Sequence, residues 1–184
     1  RSYSVTGVQT CALPISAQIE DSAVIAHINV VTWFSAYRSI MNEEYLRNRS
    51  ESAREQSQRN WFATKTESDY SFVAENPHGE VVGYVIGGKE RSNFPGVLGE
   101  IGAIYILSDY HRQGIGRKLM HHASVHLFQF GLLPYLLWVL EQNVARGFYE
   151  RLGGVYLAQK EISIAENSLT EIAYKFTNII DNAF

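Results

Sequence analysis

Glu100-Ile-Gly-Ala-Ile-Tyr-Ile-Leu-Ser-Asp-Tyr-His-Arg-Gln-Gly-Ile-Gly-Arg-Lys-Leu119 is an apolar run, a polar turn with two glycines, and the start of an amphipathic run. The order predicts a strand, a loop and a helix. Gly114 and Gly116 allow close backbone approach to a ligand, and the free N–H groups of a helix start attract anionic oxygens through hydrogen bonds and the helix dipole. Arg112, Arg117 and Lys118 add positive charge at the same place. The segment is suited to holding a diphosphate.

Spacing separates the phosphate loops that share this outline. The Gly-x4-Gly-Lys-Ser/Thr loop of nucleotide triphosphatases is absent, and Leu119 stands where the dinucleotide fingerprint Gly-x-Gly-x-x-Gly needs its third glycine. What remains is His111-Arg-Gln-Gly-Ile-Gly116 directly after a strand. It resembles the acetyl-coenzyme A loop of the GNAT superfamily of N-acetyltransferases, Gln/Arg-x-x-Gly-x-Gly/Ala, with His111 departing at the first position. A second segment, Glu141-Gln-Asn-Val-Ala-Arg-Gly-Phe-Tyr-Glu-Arg-Leu-Gly-Gly154, resembles the family's Asn-x-x-Ala-x-x-Phe-Tyr-x-x-x-Gly-Phe signature. Asn143, Ala145, Phe148, Tyr149 and Gly153 match, and Gly154 replaces the usual aromatic residue. The resemblance runs from about Gln18 to Lys175.

The family resemblance implies an α/β (α+β) fold: a mixed, mostly antiparallel sheet flanked by helices, with splayed central strands forming the acetyl-coenzyme A cleft. It implies that the pantetheine arm pairs with backbone at Ile104, Tyr105 and Ile106, and that the diphosphate lies on His111, Arg112, Gln113, Gly114, Ile115, Gly116 and Arg117. Asn143 would contact the cofactor; helix capping is its other reading. An ammonium of pKa about 10.4 is neutral only about once in a thousand molecules near pH 7, a deficit of roughly 4 kcal/mol, so attack on a thioester needs a base. The family sometimes carries a glutamate where Glu100 stands, and a tyrosine like Tyr149 against the thioester sulfur. Glu100 is thus a candidate base and Tyr149 a candidate acid, against the alternatives of a strand-end carboxylate and a core aromatic. The activity implied is direct acetyl transfer to a primary amine in a ternary complex. A non-catalytic acyl-coenzyme A-binding regulatory module is the competing reading, and a dinucleotide-dependent oxidoreductase is disfavoured by the glycine spacing.

Arg1 to Ser16 stand apart. Val5-Thr-Gly-Val-Gln-Thr-Cys-Ala-Leu-Pro-Ile15 reads, codon for codon, as a translated sequencing-library adapter, so residues 1–16 are expected to be foreign and 17–184 to form one domain. The single cysteine, Cys11, lies in that segment, which leaves no thiol for a disulfide, nucleophile or metal. No metal site is expected: His121 and His122 diverge on a helix, and His122 with His126 lack a third ligand. A net charge of −3 argues against bulk electrostatic binding of nucleic acid. With no signal peptide and no apolar run of bilayer length, a cytoplasmic protein with no membrane partner is expected, with a homodimer left open. The acceptor is a small-molecule amine or a protein N-terminal or lysine amine.

The remaining chain is expected to supply a helix from Asp21 to Tyr37 with Val24, Ile28 and Val31 inward, a short helical turn at Asn42–Leu46, a helix over Ser50–Phe62, and a hairpin of Tyr70–Glu75 with Glu80–Gly88. Gly96–Leu107 is the next strand and Gly114–Phe130 a helix with Ile115, Leu119, Ala123 and Leu127 inward. Tyr135–Leu140 is a central strand and Val144–Leu152 a short helix. Val155–Ile164 and Thr170–Phe176 close the chain as a hairpin. Trp33, Tyr37 and Trp61 could wall an acceptor pocket, although aromatics on amphipathic helices are more often core. Glu43 and Glu44 could attract a cationic amine, or simply charge a surface turn.

Overall fold

The computed structural model describes residues 14–165 and 167–182. Seven strands form one sheet in the order β1-β2-β3-β4-β5-β7-β6. They are β1 (Pro14–Ser16), β2 (Tyr70–Glu75), β3 (Val81–Lys89), β4 (Gly99–Ile106), β5 (Tyr135–Leu140), β6 (Val155–Ile164) and β7 (Asn167–Phe176). Every neighbouring pair is antiparallel except β4 and β5, which run parallel. The helices are α1 (Ser22–Tyr37), α2 (Glu43–Arg47), α3 (Glu51–Thr64), α4 (Ile115–Gln129) and α5 (Arg146–Arg151).

Local chemistry accounts for the boundaries. Asn42 Oδ1 accepts from the Glu44 and Tyr45 N–H groups to start α2, and Ser50 Oγ accepts from Ala53 N to start α3. In the β2–β3 turn Asn76 Oδ1 accepts from His78 N and Glu80 N, and Gly79 takes a φ of +79°. β4 starts three residues later than the composition suggests, because Phe94–Val97 forms a turn with Gly96 at φ +72°.

α4 lies on one face of the sheet with Ile115, Leu119, Ala123 and Leu127 all buried, as their spacing requires. The opposite face carries α1 and α3. The inward residues of α1 are Ile25, Ile28 and Thr32, while Val31 is largely exposed. The expected stripe of Val24, Ile28 and Val31 is therefore rotated. α1 is apolar around most of its circumference and is covered by both the sheet and α3, so periodicity alone does not select its buried side. β5 is apolar throughout because both of its faces are covered; Tyr135, Leu136 and Leu137 are almost wholly buried. β1 lies within the segment expected to be foreign, and pairs antiparallel with β2, Ile15 opposite Val73. It occupies the edge position of a first strand.

Candidate active site

The parallel pairing of β4 and β5 is brief. Gly99, Glu100 and Ile101 stand opposite Tyr135, Leu136 and Leu137, after which the strands have no further pairing. The rest of β4, from Gly102 to Ile106, faces an opening rather than a neighbour on that side. Leu107 N bonds to Val82 O, and antiparallel pairs alternate between bonded and non-bonded, so Tyr105 turns its backbone groups toward β3. Ile104 and Ile106 turn theirs toward the opening. Of the three backbone positions expected to meet a pantetheine arm, two thus face the opening and Tyr105 does not. The Ile106 carbonyl is also in reach of His111 Nε2, 2.8 Å away.

At the mouth of this opening the chain passes a single helical turn, Ser108–Tyr110, and enters α4. Gln113 Nε2 donates to Asp109 O at 3.0 Å, which braces the loop. Gly114 takes a φ of +79° and Arg112 a φ of +60°. For arginine this left-handed conformation costs of order 1–3 kcal/mol and persists only where surroundings impose it. Lys118 N is bonded to Gly114 O, so the N–H groups of Ile115, Gly116 and Arg117 precede the regular ladder of α4. Arg117 Nη1 reaches Asp181 O at 3.1 Å, tying the end of the chain to this turn. The donor set suits a diphosphate. Gly116, however, serves packing: a Cβ there would lie 3.0 Å from Phe148 Cζ and 3.3 Å from Ile106 Cδ1. Its missing side chain lets α4 approach α5 and β4, and does not directly vacate ligand space.

A hydrogen-bonded aromatic cluster lies on the α1 side. Trp33 Nε1 donates to the Tyr105 hydroxyl at 2.7 Å, and Asn143 Nδ2 donates to the Tyr37 hydroxyl at 3.0 Å. The Tyr37 and Tyr105 hydroxyls are close enough to interact, and both phenols have raised pKa values, chiefly through burial. Asn143 Oδ1 also accepts from Ala145 N at 2.8 Å, so both ends of this amide are engaged by the protein, in the turn before α5 and in the cluster. Tyr149, on α5, is buried beside Phe148, and burial followed by the neighbouring Tyr37 raises its pKa well above the usual 10.0. It is a neutral proton donor at any physiological pH. Among the described residues its hydroxyl has no hydrogen-bond partner.

Glu100 stands at the opposite end of β4 from the glycine loop. Its two carboxylate oxygens accept from Arg91: Nη2 to Oε1 at 2.6 Å and Nε to Oε2 at 3.1 Å, with the Arg91 backbone N–H at 3.3 Å from Oε2. The Glu100 side chain is 11% exposed and that of Arg91 is 76% exposed. Strict alternation would place Glu100, Gly102 and Ile104 on one face. A bulge opposite Ile86 and Gly87 breaks it at Gly102, so Ile101, Ile104 and Ile106 all pack under α4, whereas Ala103, Tyr105 and Leu107 pack toward α1. Ile104 therefore lies across the sheet from Glu100, and Tyr105 shares its side. A Cβ on this extra residue would meet Arg91 Nη2 at 3.4 Å, an ordinary contact with the end of a flexible side chain.

The residues expected to act separate into a loop at one end of β4, a tyrosine cluster in the middle and a paired carboxylate at the other end. Arg91 and the side chain of Tyr105 were not legible as site groups. Arg91 stands nine residues before Glu100 and in no motif, and Tyr105 belongs to an apolar strand. Trp33 and Tyr37, four apart on one helix, are the one sequence signal for the cluster. Two neighbouring histidines lie against backbone carbonyls: His122 Nδ1 is 3.0 Å from Lys118 O, and His126 Nε2 is 3.2 Å from Ser68 O on a distant segment. Among the described residues no three His, Cys, Asp or Glu side chains are grouped to hold a metal ion, and no helix is long and apolar enough to cross a membrane.

This sheet, parted between two parallel strands with a glycine loop and helix start at the opening, defines an acyl-transfer fold, and residues 33–154 match the model of the acetyltransferase (GNAT) family. The chain belongs to that family. It is similar to the Bacillus subtilis (strain 168) protein described as uncharacterized N-acetyltransferase YuaI, with 32% identity over 156 residues, 85% of this chain and 87% of the relative. Solved structures with the same fold include Salmonella typhimurium yncA with its cofactor acetyl-CoA, at a TM-score of 0.68 and 20% identity over 90% of this chain and 93% of that one. Ribosomal-protein-alanine N-acetyltransferase from Brucella melitensis has a TM-score of 0.69 at 20% identity, covering 90% and 99%.

Proposed function

We propose that the protein transfers acetyl from acetyl-CoA to a primary amine, directly, with both substrates bound together. The observation that carries this reading is the opening beyond Ile101 and Leu137, with the Ile104 and Ile106 backbone groups on one edge and the N-terminus of α4 at its mouth. Acetyl-CoA would supply the acetyl group as a thioester whose sulfur departs as a thiolate. In this reading the N–H groups of Ile115, Gly116 and Arg117, with the Arg112 and Arg117 charges, hold the diphosphate, while His111 and Gln113 brace the loop around it. Ile104 and Ile106 align the extended arm. Tyr149, neutral because it is buried, gives a hydrogen bond or proton at the departing sulfur. Asn143 acts on this site through Tyr37 and the turn before α5 rather than by direct contact of its amide with the cofactor.

Glu100 takes the proton of the attacking ammonium, through water, when Arg91 yields one of its two carboxylate contacts. The exposure of Arg91 supports this exchange, since its guanidinium loses little on turning to solvent. Residues 1–16 are foreign in the same reading, and β1 substitutes for an edge strand. The protein works in the cytoplasm. The test is a thermal-shift series followed by thiol release. Acetyl-CoA is expected to raise Tm and dinucleotides to leave it unchanged, and at least one amine in a panel of amino acids, polyamines and N-terminal peptides is expected to release free thiol. Binding with no release across the panel would instead identify a regulatory acyl-coenzyme A-binding module.

A further inference from the structure

α2 and the start of α3 enclose an open cavity of about 320 Å³, lined by Tyr45, Asn48, Arg49, Ser50 and Arg54 among others. Its charges are unbalanced. The neighbouring carboxylates are directed elsewhere: Glu43 to Arg47, Glu51 to His27 at 3.0 Å and Glu55 to Arg59 at 2.9 Å. Glu44 stands in the first turn of α2 and is not part of the lining. Neither Arg49 nor Arg54 forms an ion pair among the described residues.

Arg49 is also held in place. Its guanidinium lies over the Trp33 ring, 3.8 Å from the centroid, and its Nη2 donates to Asn29 Oδ1 at 3.0 Å. Its Nε is buried with no acceptor among the described residues. A buried donor left without a partner is unfavourable. Burial, then the like charge of Arg54, lowers the pKa of Arg49, the direction expected of a cation that lacks its counter-charge. The same indole that carries Arg49 donates its N–H to Tyr105, in the cluster beside the opening. The cavity is thus one aromatic ring away from the proposed reaction centre.

We infer that this cavity binds a carboxylate belonging to the acceptor, so that the acceptor is an amine carrying its own carboxylate, such as an amino acid. Arg49, preoriented on Trp33, presents a flat guanidinium edge to the anion, and the exposed Arg54 supplies the second positive charge. The carboxylate is fixed on the α2–α3 side of Trp33, and the amine is left to reach past the indole toward Tyr105. This inference rests on the reading of the protein as an amine acetyltransferase.

The test compares each amino acid with its own carboxamide in thiol release by the full chain. The acid is expected to exceed the amide by at least tenfold in kcat/KM. Arg54→Gln is expected to raise KM for the acid about tenfold while leaving the amide, and the thermal shift given by acetyl-CoA, unchanged, and Arg49→Lys is expected to raise KM for the acid more than for the amide. Equal use of acid and amide, or a preference that survives both variants, overturns the inference. If no amine is turned over, the acetyl-transfer reading itself fails, and binding of the same acids and amides by calorimetry decides the carboxylate site separately. Tighter binding of the acids that is lost in Arg54→Gln then supports the site, and equal binding removes it.

Discussion

The two faces of the sheet at the opening are built differently. On the α4 side, six consecutive residues from His111 to Gly116 supply the loop, and a positive φ at Gly114 sets the entry to the helix. On the α1 side, Trp33, Tyr37, Arg49, Tyr105 and Asn143 come from four segments of the chain and interact through side chains. A cradle of backbone groups needs only a local conformation and glycine in the right places. A side-chain cluster needs the whole sheet, because nothing shorter brings Asn143 to Tyr37 across 106 positions of sequence. The first kind of site is legible as a motif and the second is not.

The largest effect that tests this division is at the end of β4. Glu100→Gln is expected to lower kcat/KM by about 10²-fold or more, most strongly at low pH where neutral amine is scarce, with acetyl-CoA binding retained. A variant with the parent pH profile would assign the proton to another group. Arg91→Ala separates the carboxylate from its latch, and thiol release and thermal shift are expected to show kcat within a few-fold and acetyl-CoA binding retained.

Gly116→Leu should act on stability. The new side chain must displace Phe148 and Ile106, and overpacking of this kind costs roughly 1–3 kcal/mol. A lowered Tm in the absence of ligand is expected, in contrast to Gly114→Ala, whose backbone strain falls on the cradle and should reduce the acetyl-CoA shift as well. An unchanged unliganded Tm for Gly116→Leu would return that glycine to the ligand side of the comparison.

Tyr149→Phe is expected to lower kcat about tenfold where thiolate departure limits the rate. Because burial raises the Tyr149 pKa, the parent enzyme should keep this contribution at pH 10.0, the ordinary value for tyrosine. An alkaline limb centred there that disappears in Tyr149→Phe would show that the phenol is exposed to solvent and titrates normally.

The smallest effect concerns the beginning of the chain. Removing residues 1–13 should leave acetyl-CoA affinity within a few-fold, and removing residues 1–16 should lower Tm further without changing affinity, since β1 pairs only with β2. Calorimetry and a melting curve on both truncations check this. A large loss of affinity in the shorter truncation with the fold intact would place functional residues in the segment read as foreign.

Much of the architecture was present in periodicity and composition. Tyr70–Glu75, Tyr135–Leu140 and Val155–Ile164 appear as strands with the expected bounds, and the buried stripe of α4 follows its spacing. These elements have one covered face or two, and the pattern of apolar residues reports which. The pattern fails where coverage is unusual. α1 is apolar on most sides, so its buried stripe is set by where α3 lands, and the bulge at Gly102 reassigns Ile104 because one extra residue inverts the alternation of everything after it.

By itself the sequence determined the glycine loop, the helix that follows it and the family signature around Tyr149, since each is a short-range requirement written in adjacent residues. The tertiary structure alone decided that Asn143 bonds Tyr37, that Glu100 is held by Arg91, and that Gly116 faces Phe148. It also left Arg49 and Arg54 together with no ion-pair partner among the described residues. Such pairings depend on which side chains meet after the sheet has closed, and hydrogen bonds and charges between residues far apart in the chain leave no periodic trace in it.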